Sequence, residues 1–522
     1  MRLRYLLILL LIICPVSAIK VAAVDSNKNG VLVDVEAELV PGKGRILMTS
    51  EPFTAIDTQV SGKAAVDAAL DYTGLELGSR DVIFTFYSDA TFVEGGSAGA
   101  AMAIETVAIL EARRLKKNIV ITGGIEADGK MIPVSSILEK MHSAKNDNMF
   151  IIPNGQTRIE RIVPILKEDD GMMIRADERV VIDLEDYARR HWDLEVKEVG
   201  TLEEAMEVVY GFENLTSERE YEVVLDEREM AQEEEVFVRM AEYFLTEANG
   251  IIIELPESEE KSNIVESILK SEECLIKGYT YSAANKAFRA VIDARVLMNK
   301  NGDIEALKSE IFTRLDGMKI PEGYRSQNHF LVAARERYSW ALGEKRIIEL
   351  TEEPSIERLE MVRAWLDISE ELLKEVDDGK KEFSTELARL SEKKTAEAKE
   401  EIAADFVLNQ DTYASTTLLN AAEYERERGW YYEAGYDSMN AKARAFCIGD
   451  QYELEKMAKK HIVEAEEYVL AAEEEELGFW ARQYLGEAKI SLFENSTRNA
   501  CAFGMMAKEY AEFDLAVEGY EI

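Results

Sequence analysis

Val93-Glu94-Gly95-Gly96-Ser97-Ala98-Gly99-Ala100-Ala101-Met102 joins a β-branched stretch, Asp81 to Phe86, to an apolar run from Ala98 to Leu115. The pattern predicts a strand, a Gly-rich turn and a buried helix, with Ser97 at the strand-to-helix turn. A serine there sits at the mouth of a loop, beside free backbone N–H groups of Gly95, Gly96 and Ala98 that can hold an oxyanion. Serine is a poor nucleophile until a base takes its proton. Lys140 follows in Ile132-Pro133-Val134-Ser135-Ser136-Ile137-Leu138-Glu139-Lys140. Burial lowers the pKa of a lysine toward neutrality, so a desolvated Lys140 can be that base. Only four histidines occur in the 522 residues, which leaves few other bases. Ser97 and Lys140 point to a Ser–Lys hydrolase.

Further motifs resemble those of Lon-type Ser–Lys peptidases. Val35-Glu36-Ala37-Glu38-Leu39-Val40-Pro41-Gly42-Lys43-Gly44-Arg45 is similar to the opening strands of that proteolytic domain. Thr85 to Met102 resembles its strand, loop and nucleophile helix. Ile121-Thr122-Gly123-Gly124-Ile125 is similar to the T-G-E segment, which implies that the Thr122 hydroxyl contacts the catalytic lysine. Glu139-Lys140-Met141-His142-Ser143-Ala144 and Ile151-Ile152-Pro153 resemble the lysine-bearing helix and the next strand. The resemblance covers residues 25–210 and implies an α+β proteolytic domain, a serine endopeptidase activity and a ring-shaped homo-oligomer. Three places depart from the family pattern. Glu94-Gly95-Gly96-Ser97 replaces D-G-P-S, Gly124 replaces the glutamate of T-G-E, and Ser135-Ser136 replaces paired glycines. None removes a reacting group.

Lon proteases couple this domain to an ATPase, yet no G-x-x-x-x-G-K-[ST] occurs in the sequence. The resemblance is therefore to a stand-alone form such as archaeal serine proteases of this type. Its substrate is expected to be a short peptide, an unfolded protein or an exposed loop, cleaved without ATP. The histidines His142, His191, His329 and His461 show no H-x-x-x-H spacing and the cysteines no C-x-x-C, so no metal or other cofactor is expected. His142 lies two residues past Lys140, which turns it away from the lysine's face of the helix. Asp89, Glu94 and Asp128 are loop carboxylates, expected to be solvated.

The first residues set a location. Met1-Arg2-Leu3-Arg4 is basic, Tyr5 to Ile13 is apolar and Val16-Ser17-Ala18 fits a cleavage site, the pattern of a secretory signal over residues 1–18. An uncleaved anchor is the alternative. Cleavage would remove Cys14 and leave Cys274, Cys447 and Cys501, for which buried free thiols are expected over one bridge. Asn214-Leu215-Thr216 and Asn495-Ser496-Thr497 match the N-glycosylation sequon. A net charge of −40 argues against nucleic acid and anionic membranes as partners.

After Thr216 prolines are few and long amphipathic runs dominate, so residues 217–522 read as an acidic all-helical domain. Helices are expected over Glu218 to Ala248, Glu257 to Lys277, Tyr281 to Asn299, Ser355 to Asp377 and Glu382 to Asn409. Gly278-Tyr279-Thr280-Tyr281-Ser282-Ala283 recurs in form as Gly429-Trp430-Tyr431-Tyr432-Glu433-Ala434. This echo is similar to the tetratricopeptide pattern of paired helices, but no constant period runs through the half, and an irregular bundle is favoured. A catalytically silent scaffold whose helical half binds partners, or a protein that cleaves only itself, are the rival readings.

Overall fold

A computed structural model describes residues 18–51, 56–88, 96–169, 172–211, 221–225, 230, 234–321, 329–350, 355–376, 385–408 and 412–520. Outside them lie residues 1–17 of the predicted signal, Asp89, Glu94, Gly95 and the sequon at 214–216, while Ala18, the last residue of that signal, is the first of the described ones. The chain divides into two compact units, residues 1–161 with 181–218, and residues 162–180 with 219–522.

The first unit is built on a seven-stranded sheet. Its strands are β1 (Ala18–Val24), β2 (Gly30–Pro41), β3 (Ile46–Glu51), β4 (Arg80–Tyr87), β5 (Ile119–Ile121), β8 (Met149–Pro153) and β11 (Glu195–Val199), in the order β11-β8-β5-β1-β2-β4-β3. β6 (Gly124–Ile125) and β7 (Met131–Ile132) form a small hairpin, and β9 (Arg158–Asp169) pairs with β10 (Met172–Asp183). β1 is central: it runs antiparallel to β2, with Val21 opposite Val33, and parallel to β5. The sheet thus begins at Ala18, ahead of the boundary at 25 that the motifs suggest. Alternation of apolar and polar residues along β2 buries Val33, Val35 and Ala37 on one face.

Helices α1 (Ile56–Thr73) and α2 (Gly99–Glu111) pack on each other, and α2 packs on β1 and β2. Residues 99 to 108 of α2 are all buried, as its apolar composition requires. The helix is shorter than the apolar run suggests. Ala112 turns left-handed (φ 55°) and the Arg113 N–H closes on the Ala108 carbonyl at 2.9 Å, before the paired arginines. α3 (Ile137–Ser143), α4 (Leu184–Trp192) and α5 (Leu202–Gly211) complete this unit. The Pro41-to-Arg45 motif is shaped by buried Asp81. Its Oδ1 accepts the N–H groups of Lys43 and Arg45, its Oδ2 takes the Arg45 guanidinium, and a Cβ at Gly42 would lie 2.0 Å from its Cγ.

Beyond the β9–β10 segment the described part of the second unit is helical from Glu235 on, as its sequence predicts, whereas residues 221–225 of the helix expected over Glu218 to Ala248 are irregular. α6 (Glu235–Glu254), α7 (Glu259–Ile276), α8 (Thr280–Asn299) and α9 (Ile304–Gly317) come first. α10 (His329–Leu350), α11 (Ile356–Leu373), α12 (Thr385–Leu408) and α13 (Tyr413–Glu427) follow. α14 (Tyr431–Phe446), α15 (Gln451–Glu474), α16 (Phe479–Phe493) and α17 (Thr497–Val517) close the chain. The sequence echo is a repeated helix–turn–helix connection. At Gly278 (φ 77°), Gly429 (φ 73°) and Asn495 (φ 59°) the chain turns left-handed. Each of these residues donates its N–H three residues back, and the next residue donates five back, at 2.8 to 3.1 Å. The small residues that follow, Ala283 and Ala434, are fully buried where neighbouring helices approach. Large basic side chains in this half pair with the abundant acids: Arg335 Nη1 with Glu433 at 2.9 Å and Lys442 Nζ with Glu509 at 2.7 Å.

The cysteines correct one expectation. Cys447 and Cys501 are disulfide-bonded, with Cα atoms 5.8 Å apart, and among the described residues only Cys274 is a buried free thiol. The bridge forms because α14 and α17 pack together and bring two fully buried cysteines face to face, which spacing along the chain does not reveal. Closing a loop across 54 residues restricts the unfolded chain by about 4 kcal/mol on the chain-entropy account. Reduction, or the double substitution Cys447→Ala/Cys501→Ala, is expected to lower the melting temperature of the helical unit in calorimetry. An unchanged melt would show that the bridge is absent or without effect.

Candidate active site

Ser97 lies in a single 3-10 turn, Gly96–Ala98, at the head of α2, and both Ser97 and Ala98 are buried. Two backbone bonds hold this turn. The Gly123 N–H donates to the Ser97 carbonyl at 2.9 Å, and the Ala100 N–H donates to the Gly123 carbonyl at 3.0 Å. Thr122 is thereby fixed beside the turn, its own N–H bonded to the Ile151 carbonyl at 3.0 Å. No side chain caps α2, so no side-chain acceptor competes for the N–H groups of its first turn. Of the predicted oxyanion groups Gly96 and Ala98 stand at this helix start, while Gly95 lies outside the described residues.

Both departures from the family pattern near Ser97 have a packing reason. A Cβ on Gly96 would come within 3.0 Å of Ser61 Oγ on α1, so glycine lets α1 close over the turn where proline would push it away. A Cβ on Gly124 would stand 3.1 Å from Ile132 Cβ and 3.7 Å from the Gly96 carbonyl oxygen. The site is supported there by close backbone packing instead of a carboxylate.

Lys140 comes from α3, a helix of 7 residues, and its side chain is 4% exposed. Burial brings its pKa down to about 8, against a smaller upward pull from Glu139. Among the described residues its ammonium makes no ion pair or hydrogen bond, which leaves it free to lose a proton. α3 is anchored from both ends. Lys20 Nζ of β1 binds Asp147 Oδ1 at 2.7 Å just past the helix. Gly30 of β2 lies so close to it that a Cβ would fall 1.8 Å from the Glu139 carbonyl oxygen. Neither Lys20, Asp147, Gly30 nor Ser61 is marked by a motif; only their packing reveals a role.

The turn bearing Ser97 and the helix bearing Lys140 both pack on β1. The two reacting groups are not hydrogen-bonded to each other, and the Thr122 hydroxyl, buried and without any partner, does not hydrogen-bond Lys140. The contact that the resemblance implied for Thr122 is therefore not made in this structure. Catalytic hydrogen bonds are often long in free enzymes and tighten with substrate. The remaining candidates stand apart from this chemistry. His142 is half-buried with its ring edge-on to Trp192 at 5.6 Å, and Asp128 sits in an exposed turn.

Residues 25–180 match the family of the Lon protease (S16) C-terminal proteolytic domain. They are similar to a Lon-type proteolytic domain. Lon protease 1 of Sorangium cellulosum is 32% identical over 134 residues, 24% of this chain and 16% of that protein. The Lon protease of Rhizobium meliloti is 30% identical over 121 residues, 22% of this chain and 15% of its own length. That of Azospirillum brasilense is 28% identical over 162 residues, 27% of this chain and 20% of its own. The chain thus spans a fifth or less of each of these relatives. Within the matched residues lie the buried Ser97 hydroxyl and the buried Lys140 amine, whose pKa is lowered to about 8. The helices of the second unit lie outside the matched residues.

Two outcomes follow for stability. The pKa of Lys140 is lowered from 10.5 to about 8, so between those values the unfolded chain binds more protons and stability rises with pH. Lys140→Met is expected to abolish that slope and to raise the melting temperature at pH 7. An unchanged slope would show that Lys140 is solvated. Ser136, the N-terminal cap of α3, is held left-handed at φ 57° with no side-chain bond to the helix. That conformation costs a non-glycine residue about 1–2 kcal/mol. Ser136→Gly should therefore stabilise the domain by about 0.5 kcal/mol after its own unfolded-state entropy, and Ser136→Ala should not, as denaturant titration would show.

Proposed function

We propose that this chain is an ATP-independent serine endopeptidase that cleaves unfolded or exposed peptide segments outside the cytoplasm with a Ser97–Lys140 dyad. The observation that carries the reading is the buried Lys140, unpaired among the described residues and with its pKa lowered to about 8, on a helix that packs on the same central strand as the nucleophile turn. Neutral Lys140 takes the proton from Ser97 Oγ as it attacks the peptide carbonyl carbon. Uncapped N–H groups at the head of α2 hold the oxyanion. Lys140 then gives the proton to the leaving amine, and water, deprotonated by the same lysine, hydrolyses the acyl-enzyme.

What supports ATP independence is that these 522 residues contain no nucleotide-binding G-x-x-x-x-G-K-[ST]. What supports export is the basic-then-apolar start and the Cys447–Cys501 bridge, which suits an oxidising compartment. Peptides and unfolded proteins are the substrate class, and a ring-shaped homo-oligomer follows from the Lon likeness alone. Nucleic acid is disfavoured as a partner by the charge of −40.

The open geometry of Ser97 and Lys140, together with Gly124 in place of glutamate, favours one second reading, a catalytically silent scaffold. Labelling of purified protein by a serine-directed phosphonate separates the two. The active-enzyme reading expects labelling that rises with pH through about 8, as the lysine loses its proton, and that vanishes in Ser97→Ala and Lys140→Ala. Folded protein that stays unlabelled up to high pH would establish the scaffold.

A further inference from the structure

The helical unit carries a cavity of about 960 Å³, half open to solvent, whose walls come from α7, α8, α10, α11, α13, α14, α16 and α17. Two aromatic groups line it. Tyr484 stacks on Phe503 with ring centroids 5.8 Å apart and meets Tyr281 edge-on, while Trp340 and Trp365 meet edge-on at 5.7 Å. The charge of its wall is opposite to that of the chain. Lys270, Lys286, Arg289, Arg337, Arg358 and Arg444 face four glutamates, in a protein with 101 acidic and 61 basic residues.

Arg444 is the telling member. Its Nε donates to Asn440 Oδ1 at 2.8 Å, which fixes the guanidinium against α14. Its two terminal nitrogens have no partner among the described residues, and no carboxylate pairs with it. Burial lowers its pKa, unlike that of Arg337, which Glu336 neutralises at 2.8 Å. In a helical half where other buried cations such as Arg335 and Lys442 each hold a glutamate, an arginine fork left open inside a cavity lacks its anion. A planar guanidinium with both terminal nitrogens free matches a carboxylate. Asn285 and Asn499 line the same space, and their carboxamides can both donate to and accept from a peptide backbone. Room for several side chains, aromatic walls and amide groups favour a peptide over a small acid.

We propose that this cavity binds an extended peptide by its free C-terminal carboxylate, with Arg444 taking the carboxylate and the aromatic walls the neighbouring side chains. The proposal deepens the peptidase reading, since peptide-bond hydrolysis generates such an end, but the binding itself does not need an active dyad. The test uses the full chain carrying Ser97→Ala, so that nothing is cleaved whether or not the dyad works. Fluorescein-labelled octapeptides ending in Phe or Leu are titrated by fluorescence anisotropy, each as the free acid and as the C-terminal amide. The acid should bind saturably and at least about tenfold more tightly than the amide, as loss of a charge-assisted pair implies. Arg444→Gln should bring acid and amide to the same weak affinity, and Arg444→Lys should restore part of the difference. Equal binding of acid and amide by the Arg444-containing protein, needing no further variant to fold, would overturn the proposal. So would amidated peptides with an internal Asp or Glu binding as tightly as the acids, 3-phenylpropanoate matching the peptides in affinity, or the absence of saturable binding for the whole panel.

Discussion

Two backbone hydrogen bonds between the nucleophile turn and the Thr122–Gly123 segment hold the reactive part of this protein together. They lock the start of α2 to a segment leading from the central sheet, so the serine's position is set by main chain. Such an arrangement needs the two backbones close. Gly99 and Gly124 supply that closeness: a Cβ on Gly99 would fall 3.0 Å from the Ile125 nitrogen and one on Gly124 3.7 Å from the Gly96 carbonyl oxygen, while Gly96 makes room for the Ser61 side chain of α1.

The lysine is held differently. α3 has only 7 residues, too few to be stable alone, and its place depends on tertiary contacts. The Lys20–Asp147 pair beyond its C-terminal end, the bare Cα of Gly30 beneath it and the left-handed Ser136 before it together bury Lys140. An ammonium buried without a carboxylate is costly, and the cost is what lowers its pKa toward the range a general base needs. The same principle, an unpaired cation kept in a chain rich in acids, appears in the helical unit at Arg444, where the open fork faces a cavity.

That helical unit combines a repeated left-handed turn with a charge-rich interior. The turns at Gly278, Gly429 and Asn495 fold successive helices back on each other, and the alanines after the first two let them pack closely. The disulfide between α14 and α17 joins two of the helices that line the cavity. A ligand there would meet walls already fixed by covalent and ionic cross-links.

Much of this was legible in the sequence by itself. The β-branched stretch Asp81 to Phe86, the apolar run from Ala98 and the amphipathic runs after Thr216 declared a strand, a buried helix and a helical half, because periodicity records which side chains must leave water, while the α+β domain was what the resemblance implied. Ser97, Thr122 and Lys140 could be picked out because they sit in motifs at fixed spacing. The rest depends on distances between segments far apart in the chain. The opposition of Lys20 to Asp147 and of Gly30 to Glu139, the meeting of Cys447 with Cys501, and the isolation of Arg444 from every carboxylate among the described residues are products of packing. Local sequence fixes which residues are buried, but only the tertiary fold fixes what each buried group finds beside it, and here that decides which cations stay unpaired.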